Sequence, residues 1–154
     1  MNSLVPFDND WKALQLYIEL EQMRYADKFI VTYKVEEVVL ENDYLIPSMI
    51  IQPFVENAII HGLRNKSGSS GNLHLSAFLK EGYIIVQVED NGIGRPKAAA
   101  LKANNPIQKN SLGIKVTQNR IAIFNNLDQE KKAKVEIQDL HEGTKVVIWL
   151  PVSN

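Results

Sequence analysis

The chain has 154 residues, 45% of them hydrophobic, and a formal net charge of −1, which fits one domain with a full core and gives no electrostatic case for nucleic acid. It contains no cysteine, which excludes disulfides and thiolate metal sites. No stretch approaches the length of a membrane span and the N-terminus lacks a signal-peptide pattern, so the chain reads as soluble, with no membrane contact of its own, and the lack of cysteine is compatible with a cytoplasmic location.

Residues 1–9 hold Pro6 and Asn/Asp turn formers, with Asp8 or Asp10 placed to cap a helix. Trp11 to about Phe29 reads as that helix. Leu14, Tyr17, Ile18 and Tyr25 make one apolar face, and Leu16, Leu20 and Met23 make a second. A helix apolar on two sides either lies deep in its own domain or offers one side to a partner. Ile30 to Val39 reads as a strand, with Phe29, Val31, Tyr33 and Val35 on one face, and Tyr44-Leu-Ile-Pro47 as a short extended piece.

Ile51, Phe54, Val55, Ala58, Ile59 and Gly62 recur at the spacing of one buried helix face. The spacing predicts a core helix beginning between Ser48 and Gln52, with Pro53 in its first turn. Asn57 and His61 fall one turn apart at the border of the stripe, where they are either ordinary boundary residues or functional ones. Asn65 to Asn72 has loop composition. Leu73–Lys80 and the segment from Tyr83 to Asp90 predict a hairpin around Glu81-Gly82.

Ile84, Val86 and Val88 share one face of the second hairpin strand, and Asp90 continues that face. A carboxylate at the end of a buried face is costly unless hydrogen-bonded, so Asp90 is a structural cap or a recognition group. Asn91-Gly-Ile-Gly94 follows, a turn whose glycines let a ligand approach the backbone. Pro96 to Ala103 reads as a short helix, 104–111 as a loop placed to form a lid, and Gly113 to Asn125 as a further helix. Ala133, Val135 and Ile137 alternate in one strand; Thr144, Val146, Ile148 and Leu150 alternate in the last, after a turn at 139–143. That parity puts the Thr144 hydroxyl among apolar neighbours, with Asp90 as its candidate partner. The order of elements predicts an α+β two-layer sandwich, its mixed, mostly antiparallel sheet covered on one face by helices.

Glu56-Asn57 within QPFVENAIIHG and the stretch Glu89-Asp-Asn-Gly-Ile-Gly94 resemble the N box and first glycine box of GHKL ATPases, which join gyrase, heat-shock chaperones, histidine kinases and mismatch-repair ATPases. Within that superfamily the wording Gln-Pro-x-x-Glu-Asn-Ala-x-x-His-Gly is similar to LytS/YehU-type sensor histidine kinases. Ser111 to Ile121 resembles their second glycine box, and Gly143-Thr144 with a strand ending at Pro151 resembles their last motif. The resemblance covers nearly the whole chain and implies the Bergerat (GHKL, HATPase_c) fold with ATP and magnesium (Mg2+) as ligands. No GxxxxGK[ST] run competes with it.

The resemblance also implies roles. Asp90 accepts a hydrogen bond from the adenine amino group, with Thr144 helping through a water. Asn57 gives its side-chain oxygen to magnesium. Gly92, Gly94 and Gly113 let the backbone approach the nucleotide, and N–H groups from Ile114 onward meet phosphate. Glu56 orients a magnesium-bound water or serves as a base, or else is a solvated helix charge. His61 matches a family histidine near phosphate, with a hydrogen-bonded boundary position as its alternative, and Arg120 matches the nucleotide-site arginine of the second glycine box, with a solvated helix face as its alternative. Arg95 and Lys115 contact phosphate or are plain surface charges. Ser111 and Val116 depart from the Gly and Asn usual in the second box.

The activity implied is that of a histidine protein kinase whose phosphate-accepting segment is not visible here, since His61, His74 and His141 do not lie in its pattern. Residues 1–29 are then a linker helix leading from that missing dimerisation segment, and 30–154 the ATP-binding catalytic domain. The implied partners are the histidine-bearing segment of the same protein, a response regulator and a second copy in a full-length homodimer, with the parent anchored in the cytoplasmic membrane. A catalytically silent nucleotide-sensing or partner-binding module, or an anti-sigma-type serine kinase, are the other readings.

Overall fold

The computed structural model describes residues 4–25, 28–64, 66, 71–97, 117–122, 125 and 131–152. In chain order these form β1 (Leu4–Pro6), α1 (Phe7–Arg24), β2 (Phe29–Val35), α2 (Glu37–Glu41), β3 (Leu45–Pro47) and α3 (Gln52–Asn57). A π-helical turn (Ala58–Leu63) follows, then β4 (Gly71–Lys80), β5 (Tyr83–Asp90), β6 (Lys134–Asp139) and β7 (Thr144–Pro151). Five strands make one sheet in the order β2-β4-β5-β7-β6, with β2 parallel to β4 and the other pairs antiparallel; β1 and β3 make a separate antiparallel ribbon.

The core lies between one face of this sheet and the helices. Leu73, Leu75, Ala77, Ile84, Val86, Val88, Val146, Ile148 and Leu150 pack there against Phe7, Trp11, Leu14 and Ile18 of α1 and against the α3 stripe. The alternation of β4, β5 and β7 explains this, since period-two residues share one sheet face. The two-layer α+β sandwich is therefore observed.

The predicted N-terminal helix is shifted. It begins at Phe7, because β1 pairs with β3 and the Phe7 N–H donates to the Tyr44 carbonyl at 2.8 Å. Pro6 occupies the N-cap and no side chain caps the helix; Asp8 and Asp10 lie in the first turn, where their charge favours the helix dipole. The helix ends at Arg24, short of Phe29, which starts β2.

The strand expected to run to Val39 stops at Val35. The Glu36 N–H donates to the Ala77 carbonyl at 3.0 Å and its carboxylate accepts from the Leu79 N–H at 2.8 Å, closing the parallel ladder. The chain then winds into α2, which buries Val39 in the core.

The stripe Ile51, Phe54, Val55, Ala58, Ile59 and Gly62 is buried along its length. The helix that carries it starts at Gln52 but is not α-helical to its end. From Ala58 it widens into the π turn, whose Arg64 N–H donates back to Ile59 at 2.8 Å. The β4–β5 hairpin forms as expected, its two-residue turn left-handed at Glu81 (φ 52°) and Gly82 (φ 82°). Residues 94–97 and 117–122 are helical. The lid loop, Ser111, Gly113, Ile114, Lys115 and Val116 lie outside the described residues.

Candidate functional site

β5 delivers Asp90 to the rim of the sheet. Its side chain is 5% exposed, on the core face shared with Val86 and Val88, and its register partner on β7 is Thr144. Oδ1 accepts the Gly92 N–H at 2.8 Å, a local turn that fixes the carboxylate. No other hydrogen bond to this carboxylate occurs among the described residues, which leaves acceptor capacity at a buried position.

Glycines surround it. The π turn brings the Gly62 backbone against the first glycine run: Gly62 carbonyl oxygen accepts the Ile93 N–H at 3.2 Å. A Cβ on Gly92 would stand 2.3 Å from the Gly62 carbonyl carbon, and one on Gly62 would stand 2.8 Å from Asp90 Oδ1. Gly143, at φ 96°, lies so close to β5 that a Cβ would reach 1.9 Å from the Asp90 carbonyl oxygen. Glycine thus lets the backbone of Gly62, Gly92 and Gly143 pack closely at this end of β5, and at Gly62 it leaves the Asp90 carboxylate uncovered by a side chain.

Burial raises the Asp90 pKa to about 6, with Glu89 adding to the rise; the Gly92 N–H and the Lys66 ammonium act in the other direction. Two ion pairs border the cluster. Lys66 Nζ meets Glu142 Oε1 at 2.8 Å, and Arg95 makes a bidentate pair with Asp139 at 2.7 and 2.8 Å. Arg95 is thereby engaged with a carboxylate, the structural half of its two sequence readings.

The remaining candidates sit on the helical layer. Glu56 and Asn57 are half-buried at the end of α3, with Gln52 Nε2 donating to Glu56 Oε1 at 3.3 Å, so Glu56 is held rather than freely solvated. His61 is half-buried in the π turn and engaged. Gly94 has φ 84° and backs onto Gly143. Arg120 is exposed on residues 117–122, and no described hydrogen bond or ion pair joins it to Asp90. The structure therefore gathers Asp90, Gly92, Gly94 and Thr144, while Gly62, Gly143 and Lys66 join them without having been singled out as site residues. For Gly62 and Gly143 the signal was present, as the last residue of the helix stripe and the first of the final motif. Among the described residues no three His, Asp or Glu side chains are grouped to hold a metal ion unaided.

Residues 42–154 match the family model for histidine kinase-, DNA gyrase B-, and HSP90-like ATPases. The chain is 31% identical over 136 residues to the sensor histidine kinase YpdA of Escherichia coli (strain K12), covering 88% of this chain and 22% of that protein. It is 30% identical over 159 residues to the sensor protein LytS of Oceanobacillus iheyensis, covering 99% of this chain and 26% of LytS. The chain thus spans about a quarter of the length of these relatives. Among solved structures, the catalytic domain of histidine kinase ThkA superposes with a TM-score of 0.65 at 13% identity, over 98% of this chain and 97% of that one. The mycobacterial sensor histidine kinase MprB does so at 0.61 and 14%, over 99% and 98%, a likeness of fold. No helix among the described residues is long and apolar enough to cross a membrane.

Proposed function

Because the chain belongs to the histidine kinase-, DNA gyrase B- and HSP90-like ATPases, as a catalytic ATP-binding domain of the LytS-type sensor histidine kinases, we propose that it binds ATP at Asp90 and supplies the γ-phosphoryl group for a histidine elsewhere in its parent protein. The observation that carries this reading is the buried Asp90 carboxylate, opposite Thr144 and walled by glycine backbone.

Asp90 accepts from the adenine amino group, an interaction guanine cannot offer because it presents a carbonyl at that position. Thr144, on the same sheet face, supports the contact through a water. Gly92, Gly94 and Gly113 leave room for the nucleotide, and the N–H groups from Ile114 meet phosphate, with His61 and Arg120 nearby. Asn57 is the one protein ligand to magnesium, which suits an ion that takes most of its ligands from phosphate and water. Bound there, magnesium would neutralise charge on the phosphate oxygens. Glu56, steadied by Gln52, is placed on the next residue to accept a proton or orient a water. Most of the rate would come from positioning and charge, as is general in phosphoryl transfer.

In this reading residues 1–29 lead in from a histidine-bearing dimerisation segment and 30–154 are the catalytic domain. α1 packs into the same core, so the lead-in is docked on the domain. A response regulator would receive the phosphoryl group, the parent would act as a homodimer at the cytoplasmic membrane, and this domain would face the cytoplasm. The departures at Ser111 and Val116 favour a silent nucleotide-sensing module as the second reading. Calorimetry of ATP against GTP, with and without magnesium, tests binding. Phosphate transfer from labelled ATP to a separately made histidine-bearing segment distinguishes the kinase from the silent module; GTP binding as tight as ATP binding would sink both.

A further inference from the structure

The turn between β6 and β7 is gripped from two sides. Asp139 at its start takes two hydrogen bonds from Arg95, next to the first glycine run. Glu142 near its end takes Lys66, which lies just beyond the π turn and is anchored there by its own N–H donating to the Leu63 carbonyl at 3.1 Å. The Lys66 side chain is only 17% exposed although it carries a full charge, whereas Glu142 is 59% exposed. A lysine on an open surface would keep its ammonium in water, so this burial marks a constrained position. Gly143 follows Glu142 and lies directly on the Asp90 backbone, and Thr144 follows Gly143 as the register partner of Asp90.

We propose that Lys66 is a positioning residue of the base site: by gripping Glu142 it holds the 139–143 turn, and with it Thr144, down on Asp90. This rests on the reading of Asp90 as the adenine acceptor. The Lys66 ammonium also acts on Asp90 itself. Among the described residues, the charged groups that influence that carboxylate are Glu89, which opposes its ionisation, and Lys66, which favours it; Arg95 and Asp139 are paired with each other. Lys66 thus has two separable effects, a mechanical one through Glu142 and an electrostatic one on Asp90.

The test compares ATP affinity of Lys66→Met, Lys66→Arg and Glu142→Gln with the unsubstituted 154-residue chain by calorimetry, near pH 6 and near pH 8. Comparing variants at one pH cancels the titration of ATP. Lys66→Met should weaken binding at both values and more at the lower; an upward move of one unit in the Asp90 midpoint would add roughly fivefold near pH 6 and almost nothing near pH 8. Glu142→Gln leaves the ammonium in place and should weaken binding by the same factor at both. Lys66→Arg, which keeps charge and pair, should bind within about twofold of the parent. Unchanged affinity in Lys66→Met at both values, or in Glu142→Gln at both values, overturns the proposal. If the unsubstituted chain fails to bind ATP, or Asp90→Asn binds it equally well, the base-site reading itself fails and takes this proposal with it.

Discussion

Asp90 and Thr144 stand directly opposite each other on antiparallel β5 and β7, placing a buried carboxylate beside a hydroxyl on the core face of the sheet. Among the described residues the Asp90 carboxylate takes one hydrogen bond, from the Gly92 N–H at 2.8 Å. Burial holds it up to about 6 instead of the ordinary 3.8, so in its ionised form it weakens the fold that carries it.

Asp90→Asn should therefore separate stability from binding. Removing a charge that the fold disfavours should stabilise the domain near neutral pH by on the order of 1–2 kcal/mol, provided the amide keeps the Gly92 bond. ATP affinity should fall at least tenfold, because the charge-assisted acceptor is gone and the amide can present its NH2 instead. Urea melts and calorimetry on the same sample check both; a variant that is less stable and binds normally would reverse the assignment.

The pH dependence follows with a definite sign. Since the folded pKa of Asp90 is raised, the folded state holds its proton more tightly, and the stability this contributes is fully present below about 3.8 and lost as pH rises through about 6. Nucleotide binding runs the other way, needing the ionised carboxylate and so weakening as pH falls through about 6. Thermal melts and ATP titrations across this window should show the two trends crossing, and Asp90→Asn should flatten the Asp90-dependent part of each.

Gly92→Ala should destabilise by several kcal/mol, because its Cβ would collide with the Gly62 backbone at 2.3 Å, where neither partner is a flexible side-chain end. Gly62→Ala meets a side-chain oxygen of Asp90 at 2.8 Å and should cost less stability but more affinity. Parallel melts and titrations would reveal whether the two losses fall in that order. A Gly92→Ala protein as stable as its parent would contradict the close packing of the two motifs.

Parity and periodicity made much of this legible. Asp90 and Thr144 can each be placed on the apolar face from alternation alone, and the stripe from Ile51 to Gly62 marks the core helix by its spacing. What stayed hidden depends on partners far away in sequence. The early helix start at Phe7 depends on β1 finding β3, and the turn into α2 depends on Glu36 meeting Ala77 and Leu79. Lys66 and Glu142 are 76 positions apart, so no local pattern could join them. The π turn is invisible to a 3.6-residue period for the same reason: it is the docking of Gly62 on Ile93, not its own composition, that accompanies the widened turn.

Asn57→Ala should weaken magnesium-ATP much more than metal-free ATP if Asn57 is the metal ligand proposed above and not a base contact. Asn57 is half-buried and its truncation leaves the buried stripe intact, so the fold should survive. Titration in magnesium and in a chelator gives the comparison; equal weakening would make Asn57 structural.

The last expectation concerns the outer face of α1. Leu16, Leu20 and Met23 are 62%, 63% and 76% exposed while Trp11, Leu14 and Ile18 on the opposite side are buried, so the second apolar face read from the sequence is open in this domain. Ile30 on β2 is exposed as well, at 63%. Apolar side chains of this size contiguous on one helix mark a surface that something covers. If the histidine-bearing segment proposed for the parent is that cover, the chain alone should bind ATP yet fail to label any of its own histidines. A longer protein that includes the segment should transfer phosphate and slow the oxidation of Met23 and the exchange of amides around Leu16 and Leu20. Labelling of His61, His74 or His141 in the isolated chain at a useful rate would end the missing-acceptor account. Transfer restored without any change at Met23 would place the docking surface elsewhere.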